Sequence, residues 1–170
     1  PGPIGLAEAQ LIKSAGAGVV VVVGTRDYRL DIAKKGGADY VFNTEEKGSK
    51  YYVPDIKKKI AELTGGRMAD RVLVATGNPQ TMKLPFELSG RRSVIVFFGL
   101  PGANDVVPVP ALQTTFWDKR IKFSWLAPLT YPRALNAIAN KLIDVKALVT
   151  HTFKLGELIP ALEKVKNRVG

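Results

Sequence analysis

Gly16-Ala17-Gly18-Val19-Val20-Val21-Val22-Val23-Gly24-Thr25-Arg26 passes from a glycine-rich exit through five consecutive valines to a glycine and an arginine. A β-branched run without polar alternation is what a parallel strand buried on both faces requires. Just upstream, residues 6–15 place Ala7, Leu11 and Ile12 on one helical face and Glu8, Gln10 and Lys13 elsewhere. Downstream, residues 29–35 carry helical spacing and stop at Gly36-Gly37, and residues 40–42 read as a short strand.

The same alternation runs on. Residues 55–64 are expected as a helix between Pro54 and Gly65-Gly66, and residues 72–75 as a strand. Asn78-Pro79 reads as an N-cap and first-turn proline of a helix through Leu88, in which Pro85 is a defect. Residues 93–98, 121–125 and 148–153 are expected strands; residues 111–116, 132–142 and 157–165 are expected helices. Strand and helix alternating at this spacing give βαβ units, so the fold class is α/β with a doubly wound parallel sheet. With no long linker or repeat, residues 1–170 are expected to be one domain.

Composition removes several chemistries. The 170 residues contain no Cys and one His, which excludes disulfides, thiolate nucleophiles and His-cluster metal sites. The longest aliphatic run is five residues, and no basic, apolar leader opens the chain, so no membrane association and a cytoplasmic location are expected. The formal charge of +10 invites a nucleic-acid reading. Yet Lys57–Lys59, the one basic run, lies in a helix whose Ile56, Ile60 and Leu63 define the opposite, apolar face. A solvated face accounts for it, and no nucleic-acid partner is expected.

Pro1-Gly2-Pro3-Ile4-Gly5 leads straight into the first helix, and Gly2 and Gly5 have the spacing of the last two glycines of G-x-G-x-x-G. Such glycines let the main chain approach a pyrophosphate and the helix approach its strand, while the helix N-terminus offers free N–H groups to the anion. A loop glycine followed by a helix start would give the same letters. After the valine run, no carboxylate stands at the strand end where an acid would bond an adenosine 2′-hydroxyl. Gly24, Thr25 and Arg26 suit a 2′-phosphate instead, since a guanidinium offers phosphate a planar fork of donors. A surface turn with an incidental arginine is the plainer alternative, and Asp27 next door keeps an NAD reading open.

The whole chain resembles the cofactor-binding half of the medium-chain dehydrogenase/reductase family, which includes zinc-dependent alcohol, polyol and threonine dehydrogenases. Carrying the resemblance are Gly2-Pro3-Ile4-Gly5-Leu6, Ala33-Lys34-Lys35 with Gly37-Ala38-Asp39, and Glu62-Leu63-Thr64-Gly65-Gly66. Ala75-Thr76-Gly77-Asn78-Pro79, Phe98-Gly99-Leu100-Pro101-Gly102 and Thr150-His151-Thr152-Phe153 follow in the family's order. The resemblance implies a Rossmann fold whose Gly2, Pro3, Ile4 and Gly5 line the pyrophosphate. It implies that Gly24, Thr25 and Arg26, with Arg29 behind them, hold the adenosine ribose and its 2′-phosphate. Ala75, Thr76 and Gly77 would border the nicotinamide ribose, and Phe98, Gly99, Leu100, Ser124 and Leu126 the nicotinamide.

Two departures shape the expectation. The family's zinc ligands, proton relay and substrate pocket lie in a catalytic domain that this sequence lacks, and the first strand of the cofactor sheet is missing as well. Arg91-Arg92-Ser93 also replaces the usual Gly-Gly turn. The chain is therefore read as the NADP(H)-binding fragment of a longer, homo-oligomeric enzyme that moves a hydride between a small alcohol or polyol and the nicotinamide. NAD is the second choice of coenzyme, any zinc belongs to the absent domain, and the fragment alone is expected to be inactive. No catalytic residue and no metal ligand are expected within it, His151 being structural or solvent-exposed. The alternative is a non-catalytic nucleotide-sensing or basic nucleic-acid-binding module on a Rossmann scaffold.

Overall fold

The structure is a computed structural model that describes residues 1–126 and 129–167. It contains two compact units, Pro1–Tyr52 with Tyr131–Gly170, and Val53–Thr130.

In the first unit, helix α1 (Pro3–Ser14) leads to strand β1 (Val21–Gly24), helix α2 (Asp27–Lys35) and strand β2 (Tyr40–Asn43). The two strands pair in parallel, Val21 opposite Tyr40 and Gly24 opposite Asn43. Leu6 and Ala9 of α1, Val20 and Val22, Leu30 and Ala33 of α2, and Ala38 and Val41 form one buried cluster. The valine run starts its ladder two residues later than its sequence suggests. Val20 N donates to Asp39 Oδ2 at 2.6 Å and its carbonyl accepts from Asp39 and Tyr40, so its backbone serves the connection and not the strand. The strand is also buried on alternate residues only, with Val19 58% exposed. Lys13 Nζ secures the same connection through both oxygens of Asp39, at 2.9 Å each. Gly37, at φ 102°, makes the turn into it that a side chain would strain.

Helices α6 (Tyr131–Ala139) and α7 (Leu158–Lys166) complete this unit, the expected helices at 132–142 and 157–165. The strand expected at 148–153 is absent. Asp144 Oδ1 accepts from Lys146 N at 3.0 Å and Ala147 N at 3.2 Å, winding Lys146–Leu148 into a 3-10 turn, and residues 149–154 form no ladder among the described residues.

The second unit is a parallel sheet in the order β3 (Ala69–Val74), β4 (Ser89–Phe97), β5 (Arg120–Phe123). Helix α3 (Ile56–Leu63) precedes it, with Asp55 Oδ1 accepting from Lys58 N at 2.9 Å as its N-cap. Ile56 and Ile60 are buried while Lys57 and Lys58 face solvent, as the spacing requires. Pro85 ceases to be a defect. The expected single helix is a 3-10 turn (Pro79–Thr81) and a short helix α4 (Leu84–Leu88), and Pro85 occupies the first turn of α4, where its missing N–H is harmless. Strand β4 begins at Ser89, four residues before the expected start, and is irregular opposite Ala69–Arg71. Arg92, in the place of the usual glycine, takes φ 55° there.

Val74, Met82, Phe86, Ile95 and Phe97 form the core of this unit, flanked by Val72, Val107 and Ile121. Helix α5 (Ala111–Phe116) lies where expected, and the residue two beyond its cap, Lys119, is buried. Its ammonium donates to Phe86 O at 2.6 Å, Ser89 O at 3.0 Å and Ser89 Oγ at 2.9 Å, binding the end of α4 to the start of β4. Burial holds that ammonium below the ordinary lysine range. Among the described residues the strand pairings are parallel, and the strands form two sheets, β1–β2 and β3–β4–β5.

Candidate functional site

Every expected binding position lies at a helix start or just past the carboxyl end of a strand, the edge at which open α/β sheets bind ligands. In the first unit Gly2 is the N-cap of α1, at φ −97° and ψ −170°, with Pro3 opening the helix and no side chain capping its first turn. The N–H groups of Ile4 and Gly5 therefore lack a side-chain acceptor, and open space surrounds the Gly2 α-carbon. Gly24 ends β1 and packs against this loop. A β-carbon on Gly24 would overlap Pro1 Cδ and stand 3.2 Å from Leu30 Cδ2. The glycine loop and the end of β1 are thus brought together, and the close approach depends on Gly24 having no side chain.

Thr25 is half-buried, and Arg26, the N-cap of α2, is exposed. Its guanidinium forms no ion pair or hydrogen bond with any described residue. Arg29 differs: its Nε donates to Tyr28 OH at 2.6 Å and its guanidinium lies 5.3 Å from that ring's centre. Asp27 is engaged through one of its carboxylate oxygens. Its Oδ1 accepts from Asn43 Nδ2 at 2.9 Å and Ser49 Oγ at 2.5 Å, and those bonds, Ser49 foremost, hold its carboxyl below the usual range.

In the second unit the loops after β3 and β4 interlock. Phe98 N and Gly99 N both donate to Val74 O, at 3.1 and 3.0 Å, and Ser124 N donates to Phe97 O at 2.9 Å. A β-carbon on Gly77 would collide with the Leu100 carbonyl, and one on Gly99 with the Thr76 carbonyl. Ala75, Thr76, Gly77, Phe98, Gly99, Leu100 and Ser124 thus form one rim. Phe98 and Leu100 expose their apolar side chains, while Leu126 lies beyond the rim at φ 55°. His151, in the first unit, is exposed, its Nδ1 3.0 Å from Thr150 Oγ1.

Among the described residues no three of His, Asp and Glu are placed to hold a metal ion, so the described donors do not fit a zinc site. No described helix is long and apolar enough to cross a membrane. Asn43 and Ser49 were not singled out by sequence. The signal was present in Asn43-Thr44-Glu45-Glu46 at the end of an apolar strand, since Asn there caps a turn, and Asn43 Oδ1 accepts from Glu45 N and Glu46 N.

The family model for zinc-binding dehydrogenases matches residues 3–140. The chain belongs to the zinc-binding dehydrogenase family. The resemblance to medium-chain dehydrogenases and reductases therefore holds. A sorbitol dehydrogenase of Bacillus subtilis is 29% identical over 164 residues, covering 96% of this chain and 44% of that protein. Two solved relatives share the fold. A zinc dependent alcohol dehydrogenase of Streptococcus pneumoniae has a TM-score of 0.86 at 26% identity, over 98% of this chain and 46% of that one. A short chain alcohol dehydrogenase of E. coli CFT073, solved with NADH, has a TM-score of 0.83 at 25% identity, over 97% and 46%. This zinc-binding dehydrogenase chain spans less than half the length of these relatives, and its architecture is that of their Rossmann domains.

Proposed function

We propose that the chain is the NADP(H)-binding domain, over residues 1–170, of a longer dehydrogenase acting on a small alcohol or polyol. The observation that carries the coenzyme choice is the free Arg26 guanidinium at the end of β1, beside Gly24, with the nearest carboxylate, Asp27, bound to Asn43 and Ser49. The glycine contacts at Gly24, Gly77 and Gly99 fit a dinucleotide, because they keep the strand ends free of side chains where a backbone-lined groove is needed.

In this proposal Gly2, Pro3, Ile4 and Gly5 receive the pyrophosphate on the uncapped start of α1. Gly24, Thr25 and Arg26 hold the adenosine ribose and its 2′-phosphate, and Arg29 lends charge from behind. Ala75, Thr76 and Gly77 flank the nicotinamide ribose; Phe98, Gly99, Leu100, Ser124 and Leu126 flank the nicotinamide. The coenzyme supplies the hydride chemistry, and these residues orient it. Dehydrogenase relatives support the substrate class; the further parts of the proposal are a cytoplasmic, homo-oligomeric enzyme whose zinc, where used, is held outside this chain.

Titration of the intact protein with NADPH and NADH tests the coenzyme choice. A hydrogen bond to a charged group is worth roughly 1.5–3 kcal/mol, so Arg26→Ala should weaken NADPH about ten- to a hundredfold and leave NADH nearly unmoved. Equal parental affinities, or an equal loss of both coenzymes, would make Arg26 a surface turn residue.

A further inference from the structure

We propose that Asn43 and Ser49, which follow β2, form a latch that holds the Asp27 carboxylate out of the coenzyme site and thereby sets its preference for a 2′-phosphorylated dinucleotide. The inference rests on the NADP(H) reading of Arg26 and names the residues that protect it.

A carboxylate at the end of β1 is the group that would oppose a 2′-phosphate, by repulsion and by bonding the bare 2′-hydroxyl of NAD. Asp27 is the nearest, one residue past Arg26. The next acid along α2, Asp31, is taken by Lys50 Nζ at 2.8 Å and Tyr51 OH at 2.7 Å. What Asp27 does therefore decides whether an acid competes with Arg26.

Its two donors are themselves fixed. Asn43 is fully buried, and its Oδ1 accepts from Glu45 N at 3.1 Å and Glu46 N at 3.0 Å, so its amide nitrogen must face Asp27. Ser49 Oγ accepts from Tyr51 N at 2.9 Å, which directs its proton to Asp27 Oδ1. The segment carrying Ser49 is anchored twice more, through Asp31 and through Thr44 N, which donates to Gly24 O at 3.2 Å. Charge-assisted bonds of this kind occupy the carboxylate in a direction set by the turn and not by the coenzyme. The latch is remote in sequence from the residues it governs, and neither member belongs to the proposed binding surface.

The test is a cycle of Ser49→Ala, Asp27→Asn and the double variant in the intact protein, with NADPH and NADH titrated against each. Ser49→Ala is expected to lower the NADPH-over-NADH affinity ratio about three- to tenfold, the scale of one ordinary hydrogen bond, because Asn43 still holds the same carboxylate oxygen. The same substitution in the Asp27→Asn background is expected to leave the ratio unmoved, and Ser49→Thr, which keeps the hydroxyl, to retain the parental ratio. An unmoved ratio in Ser49→Ala overturns the latch, as does an equal shift in both backgrounds or an equal weakening of both coenzymes. A parent without preference for NADPH overturns the coenzyme reading alone if the Asp27-dependent shift persists. A parent that binds neither coenzyme overturns both.

Discussion

Gly24 and Pro1 meet where no side chain fits between them: a β-carbon on Gly24 would overlap the Pro1 ring at Cδ and come within 3.1 Å of Pro1 N. This contact joins the end of β1 to the loop that opens α1. It changes what a coenzyme-swapping substitution can be expected to do.

Gly24→Asp restores the acid that an NAD-preferring strand end carries, and on sequence alone it should trade NADP for NAD. The packing predicts otherwise. Forcing a side chain into a filled position costs about 1–3 kcal/mol, and here the atoms that must yield belong to the glycine loop. Gly24→Asp is expected to weaken NADPH and NADH together and to lower the unfolding midpoint. Coenzyme titration and urea unfolding check this, and a clean switch to NAD would show that the loop shifts freely.

How much of this was legible beforehand depends on how local the cause is. Helix α5 was readable because its limits are set within a few residues, and α3 because Asp55, Thr64 and the glycines mark its ends. The close approaches at Gly24, Gly77 and Gly99 were readable for the same reason, a glycine being the visible trace of a close backbone approach. Strand β1 was misplaced because Asp39, nineteen residues on, claims Val20 N. Residues 148–153 look like a strand, but no strand exists without an edge to pair with. The bond from Asn43 to Asp27 spans sixteen positions, and that from Lys119 to Phe86 thirty-three, so neither leaves a pattern in the sequence.

Gly77 and Gly99 make a sharper test of the rim after β3 and β4. An added methyl would meet backbone in both cases, the Leu100 carbonyl for Gly77 and the Thr76 carbonyl for Gly99. Gly99→Ala should destabilise the protein by about 1–3 kcal/mol, the usual cost of overpacking. Gly18→Ala, where the β-carbon would meet open space, should stay within about 0.5 kcal/mol. Chemical denaturation followed by tryptophan fluorescence distinguishes the two, and equal effects would refute the interlocked rim.

Acid should weaken the first unit through its aspartates. Lys13 and Val20 N lower the Asp39 carboxyl, Lys50 and Tyr51 lower Asp31, and Ser49 and Asn43 lower Asp27. A carboxyl whose folded pKa is depressed binds fewer protons folded than unfolded. Its stabilisation is therefore complete above the unfolded value of about 4 and is lost as pH falls through the lower folded values. Urea midpoints should be flat from about pH 7 to 5 and fall below pH 4, and Asp39→Asn should flatten that fall. All five tyrosines lie in this unit, so tyrosine absorbance reports it. A midpoint that rises on acidification would contradict the assignment.

Lys119 fastens the end of α4 to the start of β4 in the second unit. Its ammonium has three oxygen acceptors within 3.0 Å and lies 4.8 Å from the centre of the Trp117 ring. Lys119→Met fills similar space but supplies no donor, leaving Phe86 O, Ser89 O and Ser89 Oγ without that partner. A buried acceptor left unpaired costs about 1–3 kcal/mol, and Ser89 Oγ still donates to Phe86 O at 3.3 Å, so a loss of about 2–4 kcal/mol is expected. The substitution also removes a cation from the indole, so the Trp117 emission should shift in the folded state. Unfolding curves give the first quantity and the native fluorescence spectrum the second. Stability within about 0.5 kcal/mol of the parent would mean that water replaces the ammonium, and that the end of α4 does not depend on Lys119.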